Sequence, residues 1–156
     1  MDRNALRRPR AFARISALGV AWREMRIFVL FTVALTACAQ DKAKIELGRY
    51  LVEEAAACGF CHTPKTADGA FDKSKWLKGT TLDIQPIGVP PKDWHKASPD
   101  LTPSGKLWMK WGEASMLKYL QTGLTPSGKF AGPPMPVYKF KPEHAEAILA
   151  YLKTLK

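Results

Sequence analysis

Five consecutive residues, Cys58-Gly59-Phe60-Cys61-His62, have the types and spacing that could do chemistry. A C-x-x-C-H run is the attachment site of a c-type haem. Two thiols three positions apart lie on one side of a helical turn, where each can add to a vinyl group of the same porphyrin. The adjacent His62 then sits beneath the iron and can bind it through an imidazole nitrogen. Two other chemistries use similar residues. A redox dithiol expects a preceding strand and a βαβ context, whereas the upstream segment here reads as helix and strand patterns are scarce. A structural zinc site takes four Cys/His ligands, and Cys38, His95 and His144 show no spacing that pairs them. The motif occurs once and no internal repeat is present, so the expectation is one haem c, covalent through Cys58 and Cys61, with His62 on the metal.

The second axial position decides between electron transfer and small-molecule chemistry. Met135 is the expected ligand. It lies in Gly132-Pro133-Pro134-Met135-Pro136, where the prolines fix the backbone and cannot continue a helix. A thioether held this way has little entropy left to lose, and it raises the potential relative to two imidazoles. Met116 falls on the apolar face of a helix and reads as core filler. Met109, beside Trp108 and Trp111, could line the pocket edge. His95, in Asp93-Trp94-His95-Lys96, would give a bis-histidine site, and His144 reads as solvent-exposed in the first turn of the last helix. A carbonyl is expected to orient His62 through its other ring nitrogen. The sequence does not identify it, and Pro64 and the region of Pro86 are candidates only.

These residues need elements to position them. Residues 41–57 read as a helix with a partial apolar face of Ile45, Tyr50, Leu51 and Val52, leading through three alanines into the cysteine motif. A Pro/Gly-rich connector follows over residues 63–111, too long for a structureless loop in a compact domain, unless a large apolar group gives it something to wrap. Residues 113–121 read as a short helix closed by Gly123, with Met116, Leu117 and Leu120 inward. Pro142 opens the last helix, 143–155, whose inward face is Ala147, Ile148, Tyr151, Leu152 and Leu155.

The first 39 residues differ in kind. Met25-Arg26 precedes the apolar run 27–35 and small residues, the order of a secretory signal. The run is too short to span a bilayer, and Met25 reads as the start. Two exit patterns overlap: Ala37-Cys38-Ala39 fits signal cleavage near residues 37–40, and Leu35-Thr36-Ala37-Cys38 fits a lipobox that would leave Cys38 lipidated. Either exit exports the chain, to a periplasm, soluble or lipid-anchored. The expected organisation is therefore a signal region, 1–39, and a single domain, 40–156. Residues 1–39 hold seven Arg and two acidic residues, leaving 17 basic and 12 acidic ones, or +5 of the overall +10. The lysines are spread evenly, with no basic run interleaved with aromatics, which argues against nucleic acid as a partner. They leave room for an acidic redox partner.

The same residues carry a family resemblance. Gly48-Arg49-Tyr50-Leu51 ahead of Cys58-x-x-Cys61-His62-Thr63-Pro64 resembles the opening of a class I cytochrome c domain. Ser98-Pro99-Asp100-Leu101-Thr102-Pro103, Trp111, Leu120-Gln121-Thr122-Gly123, Gly132-Pro133-Pro134-Met135-Pro136 and Ala150-Tyr151-Leu152 follow in order. The set is similar to haem domains in cytochrome subunits of periplasmic alcohol, aldose and gluconate dehydrogenases and in related thiosulfate-oxidising cytochromes. The resemblance implies an all-α class I cytochrome c fold. Its N- and C-terminal helices would cross around one haem, with Gly48 and Tyr50 near Tyr151 and with Trp111 beside the haem. It departs from those subunits in having one haem domain rather than three, and in a longer stretch from Gly79 to Lys96. That length leaves Trp94 and His95 without a role. The expected function is one-electron transfer without bond-making, with a periplasmic dehydrogenase as donor and an oxidase or another cytochrome as acceptor. A haem enzyme or gas- or peroxide-binding cytochrome with a labile sixth site is the competing class. A fixed relay component of a dehydrogenase is a third.

Overall fold

The computed structural model describes residues 40–156. The expected start at Met25, the signal region and Cys38 lie outside the described residues. Helix α1 covers residues 40–50 and widens into a π-helical turn, Leu51–Ala55. Wide hydrogen bonds end it: Ala56 N–H reaches the Leu51 carbonyl and Cys58 N–H the Val52 carbonyl, both at 2.9 Å. The helix thus stops short of Ala57, the end expected from sequence. Leu51 and Val52 are buried, but Tyr50 is exposed, which corrects its place on the apolar face. At about 100° per residue, Tyr50 lies roughly 140° around the helix from Ile45.

The one-turn helix α2, Gly59–His62, carries the second cysteine and the histidine. The connector is loop with small pieces of order. It holds a 3₁₀ turn at Lys73–Lys75 and two antiparallel strands, β1 (Thr80–Thr81) and β2 (Ala97–Ser98), paired Thr80 with Ser98 and Thr81 with Ala97. The third helix begins earlier than expected. Helix α3 runs Lys106–Thr122 with a kink at Gly112, whose φ of 70° and ψ of 168° are not helical. A side chain would be strained there, so glycine lets two helical pieces share one run. Gly123 ends α3 in the left-handed region at φ 75°, its N–H on the Tyr119 carbonyl at 2.7 Å.

Helix α4, Pro142–Leu152, starts on proline and carries Glu143 in its first turn, where a missing N–H costs nothing and the helix dipole favours negative charge. Of its expected apolar face Ala147, Ile148, Tyr151 and Leu152 are buried, joined by Ala145 and Leu149. Leu155 lies past the helix end at Leu152, short of the expected 155, and is only half-buried against the core. The core joins this face to Leu51, Val52, Leu77 and Met116. Helices α1 and α4 approach closely at Gly48, where a Cβ would lie 1.9 Å from the Ala147 carbonyl oxygen and 2.9 Å from the Tyr151 Cβ. The architecture is the mostly helical class I cytochrome c fold. No helix among the described residues is long and apolar enough to cross a membrane.

Candidate haem site

The described residues enclose a large apolar cavity, about 930 Å³, at the upper end of the size range for small-molecule pockets. Cys58, Cys61, His62 and Met135 all line it. Residues from the π turn of α1 and from α3 and α4 complete its walls: Val52, Trp111, Met116, Leu120, Ile148 and Leu152. The Pro/Gly-rich connector contributes Leu82, Ala97, Pro99, Leu101 and Leu107, so that stretch does wrap the cavity.

His62 is buried, and its Nδ1–H donates to the Pro99 carbonyl at 2.9 Å. That corrects the candidates Pro64 and Pro86. The bond fixes the tautomer with the lone pair on Nε2, for which no partner is found among the described residues, so this nitrogen is free to act as a ligand. Burial holds the imidazole below its ordinary pKa, opposed by the Pro99 carbonyl. A neutral imidazole is the form that ligates a metal.

The two thiols are free. Burial pushes Cys58 up to about 11, and burial also raises Cys61 against a smaller opposing effect of Lys65. A catalytic dithiol needs the opposite shift, so this environment speaks against redox exchange. Among the described residues no group of three or more His, Cys, Asp or Glu could hold a bare metal ion. No fully enclosed side-chain nitrogen or oxygen among them lacks a hydrogen-bond partner, so the unpartnered His62 Nε2 is open to the cavity rather than sealed in the core. An apolar plate carrying its own metal fits this donor set: two thiols, one oriented imidazole and one thioether.

Of the other expected ligands, Met116 is buried in the core while touching the cavity, as filler should. Met109 is 73% exposed and lies off the cavity, which corrects its expected place at the pocket edge. Trp111 lines the cavity as the resemblance implied. His95 lines it too, from an exposed position, whereas His144 is half-buried and lies elsewhere. Sequence reasoning missed Tyr119 and Tyr138 in the wall. It also missed Trp76, which stacks on Gly59 of the motif and donates through Nε1 to the Tyr151 hydroxyl at 3.3 Å. Tyr151 donates in turn to Glu53. Trp76 was visible only as an aromatic within the connector.

Helices packed around an apolar cavity whose rim carries C-x-x-C-H define a c-type cytochrome. Residues 45–156 match the cytochrome c family, and the chain belongs to it. Its members carry electrons on covalently bound haem c. The chain is similar to a diheme c-type cytochrome of Cereibacter sphaeroides, 35% identical over 113 residues, or 69% of this chain and 34% of that protein. It is 33% identical over 87 residues to the fructose dehydrogenase cytochrome subunit of Gluconobacter japonicus, covering 55% of this chain and 16% of that protein. A nicotinate dehydrogenase subunit of Pseudomonas putida is 31% identical over 123 residues, covering 75% of this chain and 9% of that protein. The chain thus spans about a third or less of the length of these curated relatives.

Proposed function

We propose that this chain is an exported, single-haem electron carrier in which Cys58 and Cys61 bind the porphyrin and His62 and Met135 ligate the iron. The observation that carries this reading is the convergence of those four side chains on one apolar cavity. Haem, when bound, supplies the one-electron couple. Cys58 and Cys61 would hold it by thioether bonds, and His62 would offer Nε2 while the Pro99 carbonyl keeps the ring in place. Met135 offers a soft neutral sulfur that favours reduced iron. Val52, Leu101, Ile148 and Leu152 keep water away. If His62 and Met135 both held the iron, oxygen and peroxide would find no open place on it, which favours a carrier over an enzyme or sensor. The signal-like segment before residue 40 supports a periplasmic location, with a lipid on Cys38 if the lipobox is used.

The names of two relatives, a fructose dehydrogenase cytochrome subunit and a nicotinate dehydrogenase subunit, support a dehydrogenase as electron donor. An oxidase or another cytochrome is the matching acceptor. They also support a second reading, a fixed relay within such a complex, and co-purification with one dehydrogenase at fixed stoichiometry separates it from a shuttle.

The test is the visible spectrum of the reduced, exported protein before and after carbon monoxide, in wild type and in Met135→Ala. The wild type is expected to keep an unchanged c-type spectrum. Met135→Ala is expected to retain covalent haem but bind carbon monoxide. A thioether-ligated spectrum in the variant would falsify the Met135 assignment and move it to Met116, the other methionine on the cavity.

A further inference from the structure

The extra length between Gly79 and Lys96 has a structural outcome. Strands β1 and β2 pin the two ends of a loop, and Leu82 N–H donates to the Lys96 carbonyl at 2.8 Å just inside them. Near its return, the loop lies against the backbone that carries Met135. His95 N–H donates to the Pro133 carbonyl at 2.8 Å. Next to that bond, Gly132 is buried, and a Cβ there would lie 2.2 Å from the Asp93 carbonyl oxygen and 3.0 Å from His95 Nε2. His95 and Met135 line the same cavity.

The chemistry of the methionine segment explains why it needs an outside hold. Pro133, Pro134 and Pro136 remove three of the N–H donors with which a loop could tie itself down. Their carbonyls remain, and the Pro133 carbonyl is met from outside by His95. Gly132 closes the contact, because only a residue without a side chain lets the Asp93 carbonyl and the His95 ring come so near.

We propose that Asp93–His95 is a clamp on the methionine-bearing loop, and that His95 is a positioning residue that sets the Met135 thioether. The inference rests on the reading of Met135 as the second axial ligand. The backbone bond holds the Pro133 carbonyl, and the imidazole covers Gly132 from the cavity side. Together they keep the loop from lifting the sulfur out of the cavity. The role left open for the long Gly79–Lys96 stretch is then a mechanical one, stiffening the side of the cavity that proline alone leaves without hydrogen bonds.

The experiment uses the haem-loaded full chain and four variants: Gly132→Ala, His95→Ala, their combination and Met135→Ala. Three readouts are taken: the ferric thioether charge-transfer band, the midpoint potential, and the rate of carbon monoxide binding to the ferrous protein. Met135→Ala should abolish the band. Gly132→Ala should weaken it, lower the potential and speed carbon monoxide binding by about tenfold, the effect of losing a contact worth one or two hydrogen bonds. His95→Ala, at an exposed position, keeps the backbone N–H and should move all three readouts the same way by a smaller factor. The combined variant should change less than the two single effects together, because both act on one contact. If Met135→Ala keeps the band, the ligand reading is wrong. If Met135→Ala loses it while His95→Ala matches wild type, or while the two single effects simply add, the ligand reading stands and the clamp is overturned. Should Gly132→Ala fail to yield holoprotein, His95→Ala alone decides by the same readouts.

Discussion

The two walls that bring His62 and Met135 to the cavity are held by different physics. The histidine wall is a lattice of backbone and side-chain hydrogen bonds. His62 Nδ1–H binds the Pro99 carbonyl at 2.9 Å, and the His62 carbonyl accepts from Gly79 N–H at 2.8 Å. Buried Thr63 accepts from Leu77 N–H at 3.0 Å, and the Leu77 carbonyl accepts from Leu101 N–H at 2.9 Å. Trp108 closes the chain by donating to the Leu101 carbonyl at 2.6 Å. The methionine wall replaces most such bonds with covalent stiffness from its prolines. Its outside ties are the His95 bond, the Tyr138 hydroxyl on the Ala56 carbonyl at 3.0 Å, and Phe140 N–H on the Leu120 carbonyl at 2.9 Å. Met135 is half-buried, with Pro136 and Val137 exposed beyond it. A polar group stranded away from water costs more than a hydrogen bond traded for water, so equal chemical deletions should cost more on the histidine wall.

The largest effect is expected at Gly59, where the histidine wall meets the core. A Cβ there would lie 2.3 Å from a ring carbon of Trp76. That ring cannot easily retreat, because Phe71 packs edge-on to it at 6.1 Å, the Lys73 ammonium lies 4.2 Å from its centroid, and Tyr151 accepts from its nitrogen. Alanine would gain about 1 kcal/mol of helix propensity, but overpacking costs about 1–3 kcal/mol or more. In a helix of a single turn the steric cost should win. Gly59→Ala is expected to destabilise the holoprotein by about 2 kcal/mol or more in denaturant unfolding. Stabilisation would show that the wall is softer than its contacts suggest.

Thr63→Val comes next. It keeps the shape of a fully buried side chain but leaves Leu77 N–H without its acceptor. A stranded buried donor costs about 1–3 kcal/mol, so a loss of roughly 1.5 kcal/mol is expected, read as a lower denaturant midpoint at unchanged slope. Thr63→Ser keeps the hydroxyl and should recover most of it.

How much of this was legible in the sequence follows from which groups do the work. The cysteines, His62 and Met135 announce themselves by residue type and spacing. The faces of α4 and of the second half of α3 follow from apolar periodicity, and Gly123 from its place after the last periodic residue. Hydrogen bonds made by main-chain atoms are different, since any residue type could make them. The Pro99 carbonyl on His62 was therefore not identifiable, although Ser98-Pro99-Asp100-Leu101 stood out as part of a family pattern. The first half of α3 was hidden because Leu107, Trp108 and Trp111 sit in a tract dense in Pro103, Gly105 and Gly112, and the kink breaks the period. The π turn at Leu51–Ala55 leaves no compositional mark at all. The clamp was hidden for the same reason as Pro99: its main tie is a backbone N–H, and only the unexplained length of the Gly79–Lys96 stretch pointed toward it.

The smallest expected effect belongs to Tyr138→Phe, on the methionine wall. Tyr138 stacks on Phe140 with ring centroids 5.2 Å apart and planes 16° from parallel, and phenylalanine preserves that contact. What is lost is the hydroxyl on the carbonyl of Ala56, two residues before Cys58. Both Ala56 and Tyr138 are half-buried, so water can take the vacated place, and the cost should be no more than about 0.5–1 kcal/mol. The comparison turns on the ratio of this loss to that of Thr63→Val, because each variant deletes one hydroxyl from one hydrogen bond. A Tyr138→Phe cost equal to or above that of Thr63→Val would mean that solvent does not reach the methionine wall. Its stiffness would then come from buried hydrogen bonding, as on the histidine side, rather than from proline.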